Sequence, residues 1–431
     1  MTKIKGKSAQ EIADCVRALV QSGELAPGAS LPPVRELALE INVNRNTVAS
    51  AYQRLVTAGI AITQGRHGTT VCQAPRAGEQ EGFSSGTALI DLADGNPNPA
   101  WLPSVASLLT GSLPRPYLYG DDTILPELRL LGEKSLGPDC PATWSLELTH
   151  GAVDAIERLA AALLVPGDAV AIEDPGFLGS LNALRLAGMR TFGVEIDRQG
   201  MTPASLEASL AKGARAVLIT PRAQNPTGCS LTKKRAQQLQ KVLTRFPEVA
   251  LIVDDHFGLL DETPYHSIIP PGTQRWALVR SVSKGLGPDL RVAFVGCDSV
   301  TAERLRTRLT SGTCWVSHIL QAAVITGLTS SDALARMDEA RRGYTRLRQE
   351  LCDELSQVGI AVTPPEGGFN VWIALPGDAK DVAYELAKKG WLVRLGTAFD
   401  VDGESRAIRV TVSHLQTDQA KAFARDLKAC L

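Results

Sequence analysis

Apolar positions near the start of the chain recur at helical spacing. Ile12, Val16, Leu19 and Val20 fall on one face of a helix expected over residues 8–22, and Ser8 stands three residues before Glu11, the spacing of a capping box. A Gly/Pro turn from Gly23 to Pro33 follows. Val34, Leu37, Ala38 and Ile41 mark a short second helix that ends near Asn42-Val43. A third opens around Asn44, with Val48, Ala51, Tyr52 and Leu55 inward, Arg45, Asn46, Ala49, Gln53 and Arg54 outward, and Gly59 closing it. Two short strand-like runs, Ile60 to Thr63 and Thr69 to Cys72, then flank Gln64-Gly65-Arg66-His67-Gly68. Three helices and a hairpin with a basic tip predict a winged helix-turn-helix, whose third helix enters the DNA major groove.

The pattern then breaks. Residues 73–88 are polar, Gly-rich and aperiodic, which predicts a flexible linker. About 16 such residues have an r.m.s. span of about 20–25 Å. Beyond them, apolar runs alternate with helical stretches, the pattern of an α/β fold around a mostly parallel sheet. Strands are expected at Ala169 to Glu173, Ala216 to Thr220, Leu251 to Asp254, Leu278 to Val282 and Val292 to Gly296. A long helical stretch from about Ser330 to Gln357 precedes a smaller α+β unit built from Val362 to Leu375, Asp381 to Lys389, Leu392 to Leu395 and Ala407 to Val412. The expected organisation is therefore a head (1–72), a linker (73–88) and a body (89–431) with a large part at about 100–325 and a small part at about 330–431.

Composition narrows this picture slightly. The 431 residues are 44% hydrophobic and 21% charged, ordinary for a globular chain. No run of about 18 apolar residues marks a membrane span. Met1-Thr2-Lys3-Ile4-Lys5 lacks the apolar core of a secretion signal, so a cytoplasmic location is expected. The eight cysteines are scattered with no Cys-x-x-Cys pair, which argues against a metal site or a disulfide framework. The net charge is −1, but it divides unevenly. Residues 1–72 carry eight Lys/Arg against five Asp/Glu, a charge of +3, which leaves −4 for the rest. That is the sign expected of a DNA-binding head on an acidic body.

The candidate chemistry centres on Ser281-Val282-Ser283-Lys284-Gly285-Leu286-Gly287-Pro288-Asp289-Leu290-Arg291. An isolated lysine is ordinarily a solvated surface charge. Lys284 instead follows an apolar run, sits between Ser283 and a Gly/Pro turn, and has an arginine seven residues on. Such a lysine could hold an aldehyde cofactor covalently while its neighbours grip a phosphate, because burial and nearby charge shift lysine pKa readily. A pyridoxal-phosphate (PLP) site and an ordinary strand end both remain open on that stretch alone. Four further stretches converge with it. His150-Gly151-Ala152 precedes a helix, whose N-terminal amides could bind phosphate. Asp174-Pro175-Gly176-Phe177 follows a strand and offers an aromatic ring. Asn225-Pro226-Thr227-Gly228 follows another, where ligands gather in α/β sheets. Asp254-Asp255-His256 ends a third, where a carboxylate could keep a pyridine nitrogen protonated. The first, second and fourth alone have ordinary structural explanations, respectively a helix start, packing, and a cap or solvated turn; the Asn-Pro-Thr-Gly turn is fairly specific.

Two resemblances organise these residues. Leu31-Pro32-Pro33-Val34-Arg35-Glu36-Leu37-Ala38, Asn44-Arg45-Asn46-Thr47-Val48 and Gly65 to Val71 closely resemble the head of GntR-type regulators. That implies double-stranded DNA as partner and Arg35, Arg45, Asn46, Thr47, Arg66 and His67 as contacts. The series Gly151, Phe177, Asn225, Asp254, Lys284, Arg291 resembles the fold-type I PLP enzymes of the aminotransferase group, across most of residues 90–431. By that resemblance Lys284 would bind the PLP aldehyde, Asp254 would pair with the pyridinium nitrogen, Asn225 would bond the ring oxygen and Phe177 would stack. Arg291, Ser283 and the Gly151–Ala152 backbone would hold phosphate. Tyr119 would reach a partner subunit's phosphate, implying a homodimer, and Arg409 would clamp a substrate or effector carboxylate. Head and body together resemble the MocR-type GntR regulators, and an enterobacterial group within them. Two departures stand out. His256 replaces the family's usual tyrosine, and so shares or loses the bond to the ring oxygen. Gly179 stands where some relatives place a substrate-gripping arginine.

The resemblance implies a PLP-binding, DNA-binding regulator, a repressor by expectation, that senses vitamin B6 status or an amine adduct of PLP. The alternative is an aminotransferase with an accessory DNA-binding head, and a body that only dimerises is a third reading. Sustained enzymatic turnover is not expected, because an enzyme has no use for a base-reading helix.

Overall fold

The computed structural model describes residues 4–58, 60–63, 68–71, 80–82, 86–110 and 115–431, and they divide into two units between Ala77 and Gly78. In the first unit, helices α1 (Ala9–Gln21), α2 (Val34–Glu40) and α3 (Arg45–Thr57) precede strands β1 (Ala61–Thr63) and β2 (Thr69–Val71). Each start has a local cause. Ser8 Oγ accepts the Glu11 amide at 3.2 Å, and Asn44 Oδ1 accepts the Asn46 amide at 2.8 Å. The Glu11 carboxylate in turn accepts the Lys7 amide at 2.9 Å. Ile12, Val16, Leu37, Val48, Ala51 and Leu55 form the buried core. Tyr52 joins them at the rim, its hydroxyl donating to the Pro32 carbonyl at 2.8 Å. The two strands pair antiparallel, with Ala61 opposite Val71 and Thr63 opposite Thr69. Gly59, Gly65, Arg66, His67 and Cys72 lie outside the described residues.

The second unit contains strands β3 (Ile90–Asp91), β4 (Ser145–Thr149), β5 (Ala169–Asp174), β6 (Arg190–Asp197), β7 (Gly200–Met201), β8 (Ala216–Ile219), β9 (Ala250–Asp254), β10 (Trp276–Ser281) and β11 (Ala293–Cys297). After the helix Ser331–Gln357 come β12 (Asn370–Ala374), β13 (Trp391–Leu392), β14 (Arg394–Leu395) and β15 (Ala407–Thr411). The large sheet has the order β4-β11-β10-β9-β8-β5-β6-β7. From β10 across to β6 the pairing is parallel, and β11 runs against both of its neighbours. Every residue of β8, β9 and β10 is buried, because apolar layers cover both faces of the sheet; these strands therefore read as unbroken apolar runs in the sequence.

Register puts the important ends on one edge. Ser281, the last residue of β10, lies opposite Ala293, the first of β11, and Ala293 lies opposite Thr149, the last of β4. Val279 pairs with Asp254, the last residue of β9. The loops holding Gly151, Lys284 and Arg291, and Asp254 itself, must then share that edge.

The smaller part holds the antiparallel sheet β12-β15-β14. It is not confined to residues beyond 330. Ile90 and Asp91 pair in parallel with Trp391 and Leu392, and the Thr411 amide donates to the Leu92 carbonyl at 2.8 Å. This early strand carries Ala93, Asp94 and Gly95 towards the edge of the large sheet. Among the described residues, no helix is long and apolar enough to cross a membrane.

Candidate cofactor and carboxylate site

Lys284 lies on a single helical turn, Ser283–Leu286, directly after β10. Ser281 Oγ accepts the Ser283 amide at 3.2 Å and donates to Ser283 Oγ at 3.1 Å, which fixes the turn. Lys284 Nζ donates to the Gly95 carbonyl at 3.0 Å and stands 4.9 Å from the centre of the Phe369 ring. Burial lowers its pKa from the ordinary lysine value; Arg409 pushes the same way, and Glu81, Asp94 and Asp254 oppose it. A depressed lysine holds more neutral, nucleophilic amine.

Asp254 and Asp255 are adjacent in sequence and opposite in situation. Asp255 is fully buried and clamped. Arg222 approaches it through Nε at 2.7 Å and Nη2 at 2.9 Å, and Arg280 through Nε at 2.7 Å, with Arg280 Nη2 also bonding Asp139 at 2.7 Å. Burial pushes the Asp255 carboxyl up, but these guanidinium groups outweigh it and hold the pKa below the usual range. Asp254 is 3% exposed, and its Oδ1 has no hydrogen-bond partner among the described residues. Burial and the neighbouring Asp255 charge push its pKa up to about 7, against the pull of Lys284. A buried polar atom without a partner is rare and asks for an explanation.

The loop after β8 is held by Glu173, which the sequence reading missed. It lies 2% exposed in β5, its Oε1 accepts the Thr220 amide at 3.0 Å, and burial pushes its pKa up to about 8. Gln224 extends the hold, donating to the Pro175 carbonyl at 2.9 Å and accepting the Thr227 amide at 3.0 Å. Asn225 is thereby brought to Arg409, whose Nη1 donates to Asn225 Oδ1 at 3.1 Å.

Phe177 precedes the helix Leu178–Leu186, and its ring lies within 9° of parallel to His256, centroids 6.4 Å apart. Gly179 makes room for it, since a Cβ there would lie 2.6 Å from the Phe177 ring. A larger residue in place of Gly179 would displace that aromatic. Burial, then the Lys284 charge, pushes the His256 pKa down to about 4, so the imidazole is neutral at physiological pH.

At the other end of the site, Gly151 (φ +92) opens the helix Ala152–Leu163, and the Arg291 guanidinium lies over it. A Cβ at Gly151 would come within 3.0 Å of Arg291 Nη2. Helix amides, a glycine and a guanidinium suit a phosphate. Tyr119 is not gathered with the group within one chain; it is 88% exposed, with its ring edge against Trp315.

Arg409 is fully buried in β15 and already holds a carboxylate. Its Nη2 donates to Glu81 Oε2 at 2.8 Å and its Nη1 to Glu81 Oε1, while Asn225 Nδ2 donates to the same Oε1 at 3.1 Å. Asn225 is thus engaged on both atoms of its amide, where the sequence expected it to face a cofactor oxygen. Glu81 came from the stretch expected to be a flexible linker. For residues 80–82 that expectation fails: the Gln80 carbonyl accepts Arg394 Nη2 at 3.0 Å, and the Gly82 amide donates to the Asp94 carbonyl at 2.8 Å. Asp94, Gly95 and Phe369 were also missed.

In the head, Arg35, Arg45 and Asn46 are exposed and Thr47 is half-buried at the first turn of α3. Arg54 is exposed too, but its guanidinium is tied to Gln10 on α1.

The family Aminotransferase class I and II matches residues 141–427, and Bacterial regulatory proteins, gntR family, matches residues 8–71. Over 428 residues the chain is 47% identical to the Vitamin B6 salvage pathway transcriptional repressor PtsJ of Salmonella typhimurium, covering 99% of both chains. It belongs to the MocR-type GntR regulators. A more distant relative of this type is the Probable rhizopine catabolism regulatory protein MocR of Rhizobium meliloti, 25% identical over 78% of this chain and 74% of that one. Among solved structures, kynurenine aminotransferase of Pyrococcus horikoshii superimposes with a TM-score of 0.71 at 22% identity, over 80% of this chain and 91% of that one, a likeness of fold. The aminotransferase class I and II family is known to bind PLP, and the two domains fit a PLP-sensing DNA-binding regulator.

Proposed function

We propose that this MocR-type protein is a transcriptional repressor that binds double-stranded DNA and responds to PLP. The observation that carries the reading is the buried Asp254 Oδ1, which lacks a partner beside the buried amine of Lys284. A protonated pyridine nitrogen answers the first group and an aldehyde the second. Lys284 would hold the cofactor, Asp254 would keep its nitrogen protonated, and Phe177 would cover its ring. Arg291, Ser283 and the Gly151–Ala152 amides would take its phosphate, with Tyr119 of a second copy completing that end in a homodimer. Bound there, PLP supplies an electron sink for amine chemistry.

Arg35, Arg45, Asn46 and Thr47 would contact DNA, and the exposure of the first three supports this. The 47% identity to a vitamin B6 salvage repressor supports B6 status as the signal. His256, neutral by its surroundings, would take the place of a tyrosine hydroxyl near the ring. The test is DNA binding by wild type and Lys284→Ala, with and without PLP. Wild type should change its affinity on adding PLP and gain a visible absorbance band, and Lys284→Ala should do neither. DNA binding by wild type that is indifferent to PLP would sink the reading.

A further inference from the structure

Residues 80–82 are seated by three anchors. Gln80 is held through its carbonyl by Arg394, Gly82 through its amide by the Asp94 carbonyl, and between them Glu81 meets Arg409 and Asn225. Glu81 lies so close to Gly95 that a Cβ on Gly95 would collide with its carboxylate, and Gly95 has φ +70, a conformation suited to glycine. Burial pushes the Glu81 carboxyl up, but the charge and hydrogen bonds of Arg409 outweigh it and hold it ionised.

This is a built carboxylate subsite. Its guanidinium fork engages both oxygens, a primary amide adds a third bond, and the amine of Lys284 is near enough to favour the charged form of Glu81. Arg409 needs an anion, because a buried guanidinium without one is strongly destabilising. The chain supplies that anion from the segment that links it to the head.

We propose that Glu81 is an internal competitor for this subsite: a small monocarboxylic acid binds at Arg409 and Asn225 only by displacing residues 80–82. The inference rests on the reading above only in treating Arg409 as a ligand contact. It does not require PLP.

The experiment compares full-length wild type, Glu81→Gln and Glu81→Ala by titration calorimetry with acetate, first without PLP and then with it, using acetamide as a neutral probe of the same shape. Glu81→Ala should bind acetate at least about tenfold more tightly than wild type, equivalent to about 1.4 kcal/mol. Glu81→Gln keeps the side chain's size and should fall between them, and acetamide should bind none of the three. In wild type, L-alanine at high concentration should speed hydrogen exchange at the Gly82 amide, which a purely structural Glu81 would not allow. Equal acetate affinities in all three proteins, no acetate binding by Glu81→Ala, or unchanged Gly82 exchange under L-alanine would each overturn the proposal. Because the first acetate arm contains no PLP, failure of the PLP reading leaves its outcome intact.

Discussion

The two halves of the site solve the same problem in opposite ways. On the Arg409 side a buried charge meets a carboxylate from its own chain, and both terminal nitrogens of the guanidinium are engaged, although Nε is not. On the Asp254 side a buried carboxyl is left without a partner for Oδ1, one residue from an aspartate gripped by two arginines. Burial is nearly equal for the two aspartates, so burial alone does not mark a ligand site; what distinguishes them is whether the protein supplies the partner. Asp255 is held by the fold's own arginines, and Asp254 Oδ1 is not matched by any group among the described residues.

Breaking the satisfied member should have the largest effect. Asp255→Asn leaves Arg222 and Arg280 buried with half of their compensation, and should cost about 3–5 kcal/mol in denaturant unfolding at neutral pH. The folded pKa of Asp255 lies below its unfolded value of 3.8. Its contribution is therefore present above about pH 4 and is lost as pH falls through the folded value, so wild type and variant should converge in acid. Convergence at pH 8 instead would remove the contrast between the two aspartates.

Asp254→Asn should act differently. PLP affinity should drop roughly ten- to a hundredfold, the loss of one charged hydrogen bond, measured by absorbance titration. Stability of the cofactor-free protein should move the other way. An unfolded Asp254 ionises near 3.8, while the folded one keeps its proton to about 7. The wild type therefore loses stability as pH rises from about 4 to about 7. In Asp254→Asn that loss should shrink, visible as a smaller difference in Tm between pH 5 and pH 8.

His256→Gln should have the smallest effect. With a pKa of about 4, His256 is neutral throughout the physiological range. The pH profile of PLP binding between about pH 6 and 8 should be the same in variant and wild type. A step near neutrality that vanishes in the variant would mean that the imidazole carries charge after all.

The sequence showed the division into head and body and several of the buried strands with the residues at their ends, because buried parallel strands leave apolar runs and their C-terminal ends carry Asn, Asp and Lys in readable turns. Lys284 and Asp254 could be placed beside strand ends for that reason. The sequence did not show the order of the strands in the sheet. Glu81 was not legible. It has no periodicity around it, it sits among Gly and Gln, and its partners Asn225 and Arg409 lie 144 and 328 residues away. Glu173 was hidden as well, since a glutamate at the end of an apolar run, next to Asp174, gives no local sign that it is buried and holds the next loop. Spacing alone did not separate Asp254 from Asp255; the resemblance chose Asp254, and the arginines that clamp Asp255 come from other strand ends.

The seat of Glu81 also carries a number of its own. A group tethered by a short stretch of its own chain meets its site at an effective concentration on the order of millimolar, whatever the protein concentration. A free acid competing at Arg409 must exceed that level, weighted by relative affinity, before it is felt. Glu81 would then act as a threshold, keeping the site closed to trace acids and open only to abundant ones.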